Sequence, residues 1–154
     1  MTQTSDSDEA NEIEVLHPDR ELVIGGEKIE VREFRFLEGL DAEVIAQPLL
    51  NGLADLLGGD GRRTFGYSAM AKLFAQHKDE FVQLVGMATG KPPEWFGALG
   101  DADGQRLAMT FWTVNRGFFT RRVVAEVATR KALERAAAEA TPIAESDSAR
   151  STPN

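Results

Sequence analysis

The chain has 154 residues, of which 42% are hydrophobic, no cysteine and a formal net charge of −8. This length predicts one domain with tails, and the lack of cysteine excludes disulfides and thiolate metal sites. The acidic balance argues against general binding to nucleic acid, which requires a basic surface. Residues 1–11 are polar and acidic and predict neither a signal peptide nor a membrane anchor. No segment has the ~20 apolar residues that span a bilayer, so we expect no membrane partner.

The N-terminal part of the chain predicts disorder followed by a β-hairpin. Residues 1–11 are Ser, Thr, Asp, Glu and Asn-rich and are expected to be disordered. Apolar residues with period two lie on both sides of Gly25-Gly26, which is typical of a hairpin. The alternation changes parity between Val31 and Phe34, which indicates a bulge or the end of a strand. An isolated hairpin is marginal in water, so this one must pack on the helices that follow.

Two helical regions follow the hairpin. Leu37–Leu57 has apolar residues at helical spacing, and Pro48 within it predicts either a kinked helix or two short helices. Tyr67–Thr89 predicts a second helix with one narrow apolar stripe that includes His77.

A last helix is predicted from about Asp103 to about Ala138, and it is the most informative part of the chain. Its apolar residues form two adjacent stripes, Leu107/Phe111/Val114/Phe118 and Ala108/Trp112/Asn115/Phe119. Together they make an arc of roughly 160° at about 100° per residue, which is wider than one packing neighbour needs. Residues 139–154 are expected to be a disordered tail. The predicted fold class is thus mainly α (α+β), with an N-terminal β-hairpin and a small helical domain of about three to five helices within residues 12–138.

The sequence contains no pattern that predicts catalysis, a cofactor or a metal. His17 and His77 lack the further ligands of a zinc site, so a metal-dependent hydrolase built on His77 is disfavoured. Gly58–Gly61 lacks the Lys-Ser/Thr ending of a phosphate-binding loop. No Gly-x-Ser-x-Gly nucleophile turn occurs. We therefore expect a protein without enzymatic activity.

Asn115 and the aromatic residues beside it allow two interpretations. A buried amide requires hydrogen bonds, so Asn115 either ties the helix to a backbone carbonyl or to His77, or it anchors a partner's backbone. Phe111 and Phe118 belong to the inner stripe and are expected in the core. Trp112 and Phe119 lie at the edge of the arc and are the better candidates for a partner groove.

One stretch of the chain resembles a known family. The turn Pro92-Pro93-Glu94-Trp95-Phe96, an Asp-rich cap and the run Phe111-Trp112-x-Val114-Asn115-x-x-Phe118-Phe119-x-Arg121-Arg122 resemble tail assembly chaperones of long-tailed bacteriophages, Mu-like phages and related prophages in particular. The likeness covers roughly residues 12–130 and is specific in residues 92–122.

The resemblance implies a non-enzymatic role in the cytoplasm of an infected bacterium. Such chaperones keep the helical, apolar tape measure protein soluble, help to recruit tail tube subunits and are absent from the mature virion. The partner surface that the resemblance implies consists of Trp112, Asn115, Phe118, Phe119, Arg121 and Arg122. Self-association into a homo-oligomer is left open. The alternative is a prophage-encoded helical protein that regulates or inhibits a host protein.

Overall fold

The computed structural model describes residues 19–58 and 63–150. A two-stranded antiparallel hairpin is followed by helices, which confirms the predicted fold class. Residues 1–11, which are predicted to be disordered, and the glycine loop at 59–61 lie outside the described residues. The elements are β1 (Arg20–Ile24), β2 (Glu27–Val31), α1 (Phe36–Leu57), α2 (Tyr67–Gln76), α3 (Lys78–Thr89), α4 (Pro93–Gly97) and α5 (Asp101–Arg150).

The hairpin closes through a two-residue turn at Gly25 and Gly26. Their φ angles are 59° and 81°, a left-handed pair that glycine adopts without steric cost and that matches the twist of the two strands. Ile24, Ile29 and Val31 are buried beneath it. β2 ends at Val31, so the predicted change of parity marks the end of a strand. The next residue, Arg32, donates its N–H to the Ala88 carbonyl on α3 at 2.9 Å, which ties the hairpin to the helices.

Helix α1 is one continuous helix that includes Pro48. Of the two predicted alternatives, a pair of short helices is therefore wrong. A proline inside a helix removes the hydrogen bond to the carbonyl four residues earlier, here that of Val44. Val44 is highly exposed, so water can reach this part of the helix, and the lost bond does not require a break.

The predicted helix over Tyr67–Thr89 is divided into α2 and α3 at His77. His77 leaves the helical region with φ −127° and ψ 46°, and its N–H is shared between the carbonyls of Leu73 and Phe74, both at 3.2 Å. The break brings the rings of Phe74 and Phe81 into a stacked contact with centroids 4.4 Å apart. In a continuous helix these residues would be separated by about 10 Å along the axis.

The core lies where α1, α3 and α5 meet beneath the hairpin. Phe34, which follows β2, enters it between Phe111 and Phe118, with ring centroids at 6.0 and 5.0 Å. Helix α5 continues to Arg150, past its predicted end near Ala138 and into the tail predicted to be disordered. The alanines at 136–138 have high helix propensity, which favours this continuation.

Candidate partner-binding groove

An open, mostly apolar groove lies between α2, α4 and the first half of α5. Its volume is about 570 Å³, within the range of small-ligand sites. We call it the aromatic groove. The large side chains that line it are Tyr67, Met70, Phe74, Phe81, Phe96, Leu99, Met109 and Trp112.

A second stretch of about 380 Å³ adjoins the groove, and Met70 and Trp112 line both. The walls of this second stretch are formed by the end of α1, the segment that precedes α2, and the middle of α5, with Leu57, Phe65 and Val124 among the lining residues. Along α5 the lining residues of the two stretches extend from Asp101 to Val124, a length of about 35 Å at 1.5 Å per residue. This length accommodates several turns of a helix.

The groove exists because α2 packs against α1 and α3 rather than against α5. The break at His77 turns α2 away from the line of α3, and aromatic rings fill the floor of the resulting space. Trp112 stacks on Phe119 with centroids 5.1 Å apart, and Phe74 lies 6.2 Å from Trp112. At the rim, the Gln105 side-chain amide donates to the Tyr67 hydroxyl at 2.9 Å and connects the two walls.

Few polar groups enter the groove. Asp101 and Gln105 lie at one end, and Arg116 lies at the other. Arg116 is exposed. Such a surface can bury apolar side chains and orient them by a small number of polar contacts. Among the described residues, no group of three His, Asp or Glu side chains could hold a metal ion.

Asn115 is a structural residue in the core. It is 0% exposed, and its Oδ1 accepts the Phe34 N–H at 2.9 Å while its Nδ2 donates to the Arg32 carbonyl at 3.1 Å. The amide thereby satisfies the backbone of the segment between β2 and α1, where no strand partner is available. Of the alternative interpretations, the tie of Asn115 to a backbone carbonyl is confirmed. Its hydrogen-bond partners are backbone groups and not His77, and the buried amide is not exposed to a partner.

Phe118 is buried, which confirms its expected place in the core, although the resemblance includes it in the partner surface. Phe119 is buried too, so the prediction of a free edge at this position is wrong. Their two rings meet edge to face at 5.0 Å. Phe119 forms part of the groove's floor beneath Trp112. Of Trp112 and Phe119, the two aromatic residues predicted at the edge of the arc, only Trp112 is partly accessible. It is half-buried and lines both stretches of the groove.

The two arginines predicted beside this edge do not line the groove. The Arg122 guanidinium lies 3.9 Å from the centroid of the Phe118 ring and donates through Nε to Glu43 of α1 at 3.0 Å. A Cβ at Gly39 would come within 3.3 Å of that guanidinium, so the small residue permits the close approach of α1 and α5. Arg121 is exposed. Arg122 therefore serves the packing of the two helices.

The α2 wall of the groove is not indicated by the sequence. Tyr67 is the first residue of the helix predicted over Tyr67–Thr89, and Met70 and Phe74 lie on the apolar stripe of that helix. The signal that was present is the density of aromatic residues on that stripe. This density indicates a groove wall only when the break at His77 is known, and the sequence has no glycine or proline there to predict the break.

Two ion pairs outside the groove hold the elements that frame it. A hydrogen bond from Lys91 lowers the pKa of Glu27, and this pair joins the hairpin to the loop after α3. The hydrogen bond to Asp55, with a smaller contribution from Glu126, raises the pKa of Arg130. Arg130 Nη1 lies 2.6 Å from Asp55 Oδ1 and connects α5 to the end of α1.

These features define a small, mainly helical protein with an N-terminal β-hairpin and an open aromatic groove on its helical side. The chain belongs to the family of unknown function DUF6631, whose model matches residues 12–154. No curated protein and no solved structure matches the chain significantly. Within the described part of the chain, no helix is long and apolar enough to cross a membrane.

Proposed function

We propose that this protein is a non-enzymatic tail assembly chaperone of a long-tailed phage or prophage, and that it holds apolar helices of the tape measure protein in the aromatic groove. It acts in the cytoplasm of the host bacterium, helps to recruit tail tube subunits, and is absent from the mature virion. The observation that carries the proposal is the groove with its adjoining stretch, whose mostly apolar lining follows about 35 Å of α5.

A groove of this shape suits an amphipathic helix. Such a ligand inserts side chains at positions i, i+3 or i+4, and i+7 into a hydrophobic groove. The stacked rings of Phe74, Phe81, Trp112 and Phe119 form a rigid apolar floor for them. Met70 and Met109 are unbranched and polarizable, and methionine is frequent on surfaces that accept several related partners. A tape measure protein offers many similar apolar helices to such a surface.

The resemblance to tail assembly chaperones supports the same surface. Its two motifs correspond to α4 and to the first half of α5, and each contributes a wall residue of the groove, Phe96 and Trp112. Several other motif residues are buried in the core, as Asn115 and Phe118 are. The partner surface proposed here therefore shares Trp112 with the surface that the resemblance implies. The residues of α2 that line the groove take the place of the buried positions.

Co-expression with the tape measure protein of the same phage or prophage tests the proposal. The measurement is the fraction of the tape measure protein that stays soluble. Met109→Asp places a charge in the groove at a side chain that is 50% exposed, and Val23→Asp is the matched control on the hairpin at 54% exposure. We expect Met109→Asp to abolish protection and Val23→Asp to preserve it. Equal protection by both variants would overturn the proposed surface.

The same experiment separates this proposal from its alternative. Affinity capture of the protein from cells that express the whole prophage should recover the tape measure protein in the wild type and lose it in Met109→Asp. Recovery of a host protein without the tape measure protein would instead support a regulator or inhibitor of that host protein.

A further inference from the structure

Helix α1 carries a second apolar face that the described residues of the chain leave uncovered. Four large side chains on its first half, which we call the α1 stripe, are between 45% and 77% exposed: Phe36, Leu37, Leu40 and Val44. Leu37, Leu40 and Val44 have the spacing i, i+3, i+7 and share one face.

The opposite face of the same segment packs into the core through small residues. Gly39, Ala42 and Ala46 are buried there. The large apolar residues thus point outward and the small ones inward, which reverses the usual arrangement of a surface helix. Single exposed apolar residues are common on proteins, but a contiguous group on two helical turns marks an interaction site.

We propose that the α1 stripe of one copy docks into the aromatic groove of a second copy. The stripe is a convex helical ridge with apolar anchors at i, i+3 and i+7, and the groove is a concave apolar surface that suits such a ridge. The stripe rises about 10 Å from Leu37 to Val44, and the α5 wall of the groove is about three times as long.

Charge favours this arrangement over the pairing of two α1 stripes. Two of the three acidic residues in 36–47 are already paired, Glu38 with Arg32 and Glu43 with Arg122, which leaves Asp41 beside the stripe. Docking the stripe in the groove of another copy lets Asp41 meet Arg116, the arginine that lines the groove. A symmetric pairing of two stripes would instead bring two Asp41 carboxylates together, and like charges across an interface are unfavourable.

Because the two surfaces differ, the contact is head to tail, and a pair of copies keeps one free stripe and one free groove for further neighbours. The docked stripe occupies the surface proposed above for the client. Self-association therefore covers the groove when no client is present, and a client helix displaces the neighbouring copy. The self-association itself depends on the geometry of the groove and not on the identity of the client.

Sedimentation velocity of the full chain, without client, over micromolar to near-millimolar concentration tests the contact. We expect concentration-dependent association of the wild type. Val44→Asp in the stripe and Met70→Glu in the groove should each weaken it by about tenfold or more, because each places a charge in an apolar contact. Leu133→Asp, at another exposed apolar residue of α5, is the control and should associate as the wild type does. A wild type that stays monomeric over this range would overturn the proposal.

A mixture of the two variants distinguishes head-to-tail from symmetric pairing. Val44→Asp retains an intact groove, and Met70→Glu retains an intact stripe, so an equimolar mixture should form a heterodimer that grows no further. A mixture that stays monomeric, although each variant melts cooperatively by circular dichroism, would refute the head-to-tail contact. Met109→Asp at the groove's rim provides a second groove variant if Met70→Glu does not fold.

The client assay separates this inference from the proposed function. Val44→Asp leaves the groove intact, so it should protect the tape measure protein at least as well as the wild type does. If Val44→Asp loses self-association and still protects the client, the result supports both proposals. Retained self-association in Val44→Asp overturns the self-docking proposal alone.

Discussion

Replacement of Asn115 tests the packing that aligns α5 with the hairpin. In Asn115→Leu the side-chain volume is nearly kept, but the Phe34 N–H and the Arg32 carbonyl lose their partners at 2.9 and 3.1 Å. A buried backbone group left without a partner costs about 1–3 kcal/mol. Two such groups predict a loss of about 2–6 kcal/mol, a large part of the stability of an ordinary domain.

Urea unfolding followed by far-UV circular dichroism measures this loss as a change in the free energy of unfolding. Asn51→Leu is the matched control, because that amide accepts only an exposed hydrogen bond from Gln47 on the same helix. We expect a change of less than about 0.5 kcal/mol there. A loss below about 0.5 kcal/mol for Asn115→Leu would refute the structural role assigned to the amide.

Three further predictions concern the fold. Phe119→Ala should lower the free energy of unfolding by about 3–5 kcal/mol in urea, because the ring is buried; a change under 1 kcal/mol would contradict its place in the core. Gly26→Ala should cost about 1 kcal/mol by the same assay, since the turn holds φ at 81°, and an unchanged stability would argue against that turn. The lowered pKa of Glu27 means that its pair with Lys91 stabilises the fold above about pH 5 and loses this effect as the carboxylate is protonated at lower pH. The small advantage of the wild type over Glu27→Gln in urea should therefore shrink between about pH 5 and pH 3, whereas an advantage independent of pH would contradict the pairing.

The hairpin was predictable because its signals are local. Gly25-Gly26 lies between two runs of alternating apolar residues, and both features depend on neighbours in the sequence. The long α5 helix was predictable for the same reason. The break at His77 was not, because no glycine or proline marks it, and the stacking of Phe74 on Phe81 that accompanies it is a tertiary contact that no local residue type indicates.

The site was predictable only in part. Periodicity placed Asn115 within the apolar arc, but the choice between core and partner contact required the position of the β2–α1 segment, which pairs with it across 81 residues. Trp112 was correctly placed at the edge of that arc, where it lines the groove. The α2 wall of the groove could not be predicted, because the sequence does not show which pairs of helices leave a gap between them.

Site-specific photo-crosslinking tests the central claim most directly. A photoreactive phenylalanine analogue placed at Met109 lies at the aromatic groove, and the same analogue at Val23 lies on the hairpin with similar exposure. After co-expression with the tape measure protein, we predict a crosslink from position 109 to an amphipathic helical segment of that protein and none from position 23. Crosslinks to the tape measure protein from position 23 alone, or from neither position, would contradict the groove as the client site.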